Sequence, residues 1–155
     1  RTLDEAAEIL GMGRDQAQAA LLQARAQLKQ AATTDVMIIE DEAVIALDLE
    51  ALVTRCGHRV VGIAATEAEA EKLAARTKPG LILADVNLGR GGNGASAVAR
   101  ILSRQTVPVI FVTAYPEQLL SGQGIEPTYV LTKPFDPTTL AVATFEAANR
   151  GGPRP

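Results

Sequence analysis

Cysteine and histidine each occur once in this 155-residue sequence. A lone Cys56 excludes an intramolecular disulfide and fits a reducing compartment. His58 falls where a helix gives way to a strand. That place predicts a surface side chain and makes it a poor candidate for phosphotransfer or metal binding. Charge of one sign is also missing. Fifteen basic residues against eighteen acidic ones give a net charge of −3, so no general attraction to nucleic acid or anionic lipid is expected. No apolar run approaches the about 18 residues of a membrane span, and no signal-peptide pattern is present. The expectation is a cytoplasmic protein with no membrane partner. Internal repeats and low-complexity segments are absent as well. The sequence opens on Arg1 with an amphipathic pattern under way at Leu3, and so reads as a piece of a longer protein.

What is present is enough apolar material, 47% of residues, for one buried domain of roughly 100–150 residues plus a fragment. Residues 1–30 predict two helices. The first carries Leu3, Ala6, Ala7, Ile9 and Leu10 and stops at Gly11-Met12-Gly13. The second runs from Asp15 to Gln30, with Ala17, Leu21, Ala24 and Leu28 on one face. Two helices joined by a short glycine turn form a helix-turn-helix. The stretches Glu5-Ala6-Ala7-Glu8-Ile9-Leu10-Gly11 and Leu21-Leu22-Gln23-Ala24-Arg25-Ala26-Gln27-Leu28 resemble the C-terminal helix-turn-helix of extracytoplasmic-function sigma factors. That family lines its second helix with basic residues, whereas here Gln18, Ala20 and Gln23 stand there and only Arg25 is basic. Four basic side chains (Arg1, Arg14, Arg25, Lys29) balance four acidic ones (Asp4, Glu5, Glu8, Asp15). The phosphate-neutralising term that dominates DNA affinity is therefore small, and no direct DNA binding is expected. The expected layout is a sigma-like fragment over 1–32, a linker over 33–35, a domain over 36–149 and a disordered tail over 150–155.

After the linker, strands and helices alternate. Val36–Ile39 is an apolar strand ending in Glu40-Asp41-Glu42, with Glu42 expected as a helix-dipole acid in the first turn of the helix that follows. That helix carries Ile45, Leu49, Leu52, Val53 and Cys56 on one face and closes at Gly57. Arg59–Ala64 is a second strand, and Thr66-Glu67-Ala68-Glu69 is a capping box opening a helix that ends before Pro79. Leu81-Ile82-Leu83-Ala84 is an unbroken apolar run, as expected of a strand buried on both faces, and it runs directly into Asp85. A helix over 95–104, a strand over 108–113, a strand over 129–131 and a last helix opened by Asp136-Pro137 complete the pattern. Five strands alternating with helices predict an α/β fold: a doubly wound five-stranded parallel sheet, with the flavodoxin- or CheY-like order 2-1-3-4-5. The helical fragment precedes it.

Four polar features then sit at the carboxyl ends of four strands: Glu40-Asp41, Asp85, Thr113 and Lys133. All strand ends of a parallel sheet lie along one edge, so these groups converge. An acid cannot stay unpaired inside an apolar layer, and packed carboxylates repel. A hard oxygen-seeking cation such as Mg²⁺ relieves that repulsion, using one or two carboxylates, a carbonyl and waters. A carboxylate beside such a cation can attack a phosphoryl group, and an ammonium and a hydroxyl can meet the incoming oxygens.

With Lys133-Pro134-Phe135 included, residues 35–149 resemble the receiver domain of two-component response regulators. The resemblance implies that Asp85 is the phosphoacceptor and that Glu40 and Asp41 hold Mg²⁺ together with Asp85 and the backbone carbonyl of Asn87. It further implies that Thr113 bonds the phosphoryl group and that Lys133, aimed by a cis Pro134, pairs with it. A sensor histidine kinase or phosphotransfer protein would be the donor, and the domain would be a signalling phosphoacceptor rather than an enzyme. The stretches Ile38–Glu42, Pro108–Glu117 and Leu131–Phe135, behind a sigma-like fragment, resemble PhyR-type regulators of the bacterial general stress response. In that family phosphorylation frees the sigma-like domain to capture an anti-sigma factor of the NepR type, releasing the true sigma factor. Two positions depart from the common receiver pattern. Gly89 stands where a proline is usual, followed by the longer loop Arg90-Gly91-Gly92-Asn93-Gly94, whose backbone freedom is expected to alter phosphoryl lifetime. Val130 stands at the usual aromatic switch position, and the neighbouring Tyr129 should face the other side of the strand. The competing readings are a pseudo-receiver that works without phosphorylation and an aspartyl-phosphate phosphatase. The latter would need a second aspartate two residues after the first-strand acid, but Ala43 stands there.

Overall fold

The computed structural model describes residues 33–120, 127 and 129–151, together with Gln18. The chain divides into two units, residues 1–33 and 34–155. Apart from Gln18, the helix-turn-helix expected over 1–32 lies outside the described residues, as do residues 152–155 of the expected tail.

The second unit alternates as its sequence pattern predicts. Its strands are β1 (Asp35–Ile39), β2 (Arg59–Ala64), β3 (Leu81–Ala84), β4 (Val109–Thr113) and β5 (Tyr129–Thr132). Helix α1 (Ala43–Arg55) follows β1, α2 (Glu67–Thr77) follows β2, α3 (Gly94–Leu102) follows β3 and α4 (Pro137–Gly151) follows β5. Two 3₁₀ turns, Gly89–Gly91 and Pro116–Leu120, lie in segments whose composition suggests irregular loop. The sheet order is β2-β1-β3-β4-β5, with every neighbouring pair parallel, as expected.

Strand alternation sorts the apolar residues into two layers. Met37, Ile39, Ile82, Ala84, Val109 and Phe111 pack with Leu73 of α2 and with Val98 and Ile101 of α3. On the other face Val36, Ile38, Leu83, Ile110 and Val112 pack with Leu49 and Val53 of α1 and Leu140 of α4. Each fully buried Leu, Ile, Val or Phe contributes about 1.5–3 kcal/mol, so three central strands with no exposed residue anchor the fold. Tyr129 and Leu131 join the second layer while Val130 is 40% exposed, which is the alternation expected along β5.

Side-chain caps fix where the helices begin. Thr66 Oγ1 accepts the Glu69 amide at 3.1 Å, and Glu69 reaches back to the Ala65 amide at 3.0 Å. Asn93 accepts the Ser96 amide at 3.0 Å and Asp136 the Thr139 amide at 3.2 Å.

Several boundaries and placements differ from expectation, among them the helix expected over 95–104, which runs Gly94–Leu102. Asp35 belongs to β1 rather than to the linker, because the Arg59 guanidinium grips both its carboxylate oxygens and its carbonyl accepts the Gly80 amide. Glu42 is the N-cap of α1, one residue outside the first turn, and its side chain caps nothing. Helix α4 runs to Gly151, past the expected domain end at 149 and into the expected tail, carrying on the helix beyond the buried Ala143 and Ala147. His58 is 4% exposed rather than on the surface. Gly57, at φ +90, folds the chain so that the imidazole lies beneath the start of β1, where Nδ1 accepts the Thr34 amide at 3.4 Å. Burial pushes its pKa down, which keeps Nδ1 unprotonated and able to accept.

Candidate functional site

The residues that carry chemistry stand at the carboxyl edge of the sheet, level with one another because the strands end in register. Ile39 pairs with Ala84, Ala84 with Phe111, and Thr113 with Thr132. Three backbone hydrogen bonds carry the ladder into the site itself. Glu40 N–H donates to Ala64 at 2.9 Å, Asp85 N–H to Ile39 at 2.9 Å and Lys133 N–H to Thr113 at 2.9 Å. Each functional residue is thereby fixed by the strand beside it, and sites on regular elements hold geometry better than sites on free loops.

Glu40, Asp41 and Asp85 each place a carboxylate oxygen within 4.8 Å of the others. Lys133 Nζ donates to Glu40 Oε1 at 2.6 Å and to Asp85 Oδ2 at 2.9 Å, bridging two acids that are 2% and 7% exposed. Asp41 is exposed. Burial raises the Glu40 pKa from 4.5 to about 6, against the opposing pull of Lys133 and of the Glu42 amide on Oε2. For Lys133, burial alone would depress the ammonium, but its bonds to Glu40 and Asp85 outweigh that and raise it. The lysine therefore stays charged while one of its partners is reluctant to ionise. A cluster of three carboxylates sharing one cation is short of positive charge, and its all-oxygen donors suit a hard divalent ion.

Asn87 N–H points toward Asp85 Oδ1 at 3.4 Å, while the Asn87 side chain accepts the Gly89 amide at 2.9 Å. Thr113 is fully buried at the end of β4, where its Oγ1 accepts the Tyr115 amide at 3.1 Å. The Lys133–Pro134 peptide is cis. Lys133 thus bonds Glu40 and Asp85 directly, the Asp41 carboxylate lies within 4.8 Å of both acids, Asn87 stands beside Asp85 and Thr113 is on the same edge.

The loop after Asp85 departs from the sequence expectation. Its glycines suggest free backbone, yet the segment is closed by hydrogen bonds. An antiparallel bridge joins Asn87 and Asn93, Leu88 N–H donates to Gly92 at 3.0 Å, and Gly94 N–H donates to Val86 at 2.6 Å. Three glycines are required by close approach: a Cβ on Gly91 would stand 2.5 Å from the Ala65 carbonyl oxygen. A Cβ on Gly94 would stand 1.7 Å from the Asp85 carbonyl oxygen, and one on Gly92, at φ +103, would stand 2.0 Å from Glu67 Oε2. Glu67 in turn accepts the Asn93 amide at 2.7 Å and pairs with Arg100. Sequence reasoning placed Glu67 only in a helix cap; the available signal was an Asn-Gly pair opening the next helix.

The family description "Response regulator receiver domain" matches residues 36–145. The phyllosphere-induced regulator PhyR of Methylorubrum extorquens is 50% identical over 115 residues, covering 74% of this chain and 43% of that protein. The anti-anti-sigma factor PhyR of Bartonella quintana, in its crystal structure, is 43% identical with a TM-score of 0.76, covering 97% of this chain and 61% of that one. The receiver domain of the Erythrobacter litoralis PhyR response regulator, solved by NMR, is 47% identical with a TM-score of 0.72, covering 79% and 96%. The chain spans less than two thirds of the length of the full regulators it matches. No helix among the described residues is long and apolar enough to cross a membrane. A parallel sheet in the order 2-1-3-4-5, acids and a lysine meeting at its carboxyl edge, and these kinships together place the chain in the response regulator receiver domain family, as a PhyR-type response regulator.

Proposed function

We propose that Asp85 accepts a phosphoryl group in the presence of Mg²⁺ and that the resulting change controls a sigma-like segment formed by residues 1–32, with the linker starting at Thr33. One observation carries this reading most strongly: Lys133 bridges Glu40 and Asp85 inside a cluster whose three carboxylates outnumber its one ammonium. Glu40, Asp41, Asp85 and the Asn87 carbonyl would hold the cation. When bound, it neutralises charge on the transferring oxygens.

The protein's own groups do the rest. An Asp85 carboxylate oxygen attacks phosphorus, the bond from phosphorus to the donor's nitrogen or oxygen breaks, and the leaving group keeps that electron pair and takes a proton. An acyl phosphate on Asp85 results. Lys133, already 2.9 Å from Asp85 Oδ2, is placed to follow the new negative charge. Thr113 Oγ1 accepts the Tyr115 amide, which leaves its O–H to donate to a phosphoryl oxygen. The phosphodonor would be a sensor histidine kinase or a phosphotransfer protein, and the setting the cytoplasm. Kinship with an anti-anti-sigma factor supports partner switching as the output, with a NepR-type anti-sigma factor as the captured partner. On this reading the domain is a signalling phosphoacceptor.

Incubation with Mg²⁺ and a small phosphodonor, followed by intact mass, tests the proposal. A single adduct on the wild type and none on Asp85→Ala supports it. An adduct of equal size on both proteins, or none on either, leaves a phosphorylation-independent interaction module.

A further inference from the structure

Glu67 stands apart from the acids of the cluster, at the first residue of α2, yet it is tied into the loop that leaves Asp85. Its Oε2 accepts the Asn93 amide at 2.7 Å across 26 residues of sequence, lying directly over the Cα of Gly92. Its other oxygen pairs with Arg100 of α3, and Arg100 is held a second time by Glu71 at 3.0 Å. Asn93 is bridged to Asn87, and Asn87 sends its amide toward Asp85 Oδ1. The bridge is closed by the residues flanking the pair, Leu88 N–H to Gly92 and Gly94 N–H to Val86, so Glu67 is tied through Asn93 to the one backbone segment expected to give the cation a carbonyl.

We propose that Glu67 is a positioning residue for the cation site, holding Asn93 so that the paired Asn87 presents its carbonyl beside Glu40, Asp41 and Asp85. This rests on the proposed Mg²⁺ site and extends it to a residue outside the cluster. A long glycine-rich loop has many conformations of similar energy. One carboxylate clamped between an amide and a guanidinium selects one of them before the ion arrives. Outer-shell partners of this kind set ligand orientation, and their loss weakens metal binding roughly 10–100-fold.

The test is a Mg²⁺ titration followed by backbone amide shifts of Asn87, Leu88 and Gly89, on the full 155-residue chain, with phosphorylation against Mg²⁺ concentration as a second readout. Glu67→Asp keeps the charge but withdraws the carboxylate by one methylene, and Glu67→Ala removes it. Both should raise the half-saturating Mg²⁺ concentration by roughly tenfold, with excess Mg²⁺ restoring phosphorylation. Glu67→Gln keeps an oxygen for the Asn93 amide, and Arg100→Met breaks the ion pairs to Glu67 and Glu71 but leaves that amide bond. Both should stay within about twofold of wild type, since an exposed ion pair contributes little. Unchanged Mg²⁺ affinity in Glu67→Asp, or a loss in Glu67→Gln as large as in Glu67→Ala, overturns the role of Glu67. Wild type showing no Mg²⁺-dependent amide shifts would instead overturn the cation site itself.

Discussion

Glu40→Gln should make the metal-free protein more stable at neutral pH, although it deletes one half of a buried ion pair. Glu40 is 2% exposed, with Lys133 Nζ at 2.6 Å from one oxygen and the Glu42 amide at 3.2 Å from the other. Those bonds favour the ionised form, yet burial prevails and the pKa rises from 4.5 to about 6. That rise corresponds to about 2 kcal/mol by which the fold disfavours the carboxylate. The sign follows from proton linkage. The folded state holds the proton more tightly, so the full contribution is present below pH 4.5 and is lost as pH rises through 6. At pH 7 the wild type bears the whole cost. Glutamine imitates the protonated acid: it is neutral, keeps an oxygen for Lys133 and titrates nowhere. Urea unfolding followed by circular dichroism in EDTA should find Glu40→Gln about 2 kcal/mol more stable at pH 7, a midpoint rise of roughly 5–10 °C by heat, with no difference near pH 4. A variant less stable than wild type at pH 7, or an advantage that persists unchanged at pH 4, would refute the reasoning.

Lys133→Met leaves Glu40 and Asp85 buried beside Asp41 with no shared cation. A loss of about 3 kcal/mol is expected at pH 7, shrinking in acid as Glu40 takes up its proton, by the same unfolding assay. Gly94→Ala puts a Cβ 1.7 Å from the Asp85 carbonyl oxygen, so the start of α3 must move; about 2–4 kcal/mol is lost, and amide shifts change around Asp85 and Val86. Mg²⁺ at about a hundred times its Kd should stabilise the wild type by about 2.7 kcal/mol, and Asp41→Asn should abolish most of that gain in a thermal-shift titration.

Much of this was legible in the sequence because a parallel sheet writes itself plainly. Val36–Ile39, Leu81–Ala84 and Val109–Val112 are unbroken apolar runs because both of their faces are covered, and the polar residue ending each run marks the sheet edge. Convergence of Glu40, Asp41, Asp85 and Lys133 then follows from topology. What sequence conceals is contact between distant segments. His58 reads as a surface residue because it stands where a helix gives way to a strand, and only the fold places it under β1. The Gly-Gly-Asn-Gly stretch reads as slack chain, while its glycines serve close approach to Glu67 and to the Asp85 carbonyl. Glu42 shows the finest limit, since the pattern marks a helix start and misses it by one residue.

The most direct test of the account is to find where the phosphoryl group goes. Phosphorylated protein would be reduced with borohydride, which converts an aspartyl phosphate to homoserine, and then digested and sequenced by mass spectrometry. Homoserine is expected at position 85 only, dependent on Mg²⁺ and on the phosphodonor. Homoserine at position 41, or phosphate retained on a serine, threonine or histidine, would contradict it.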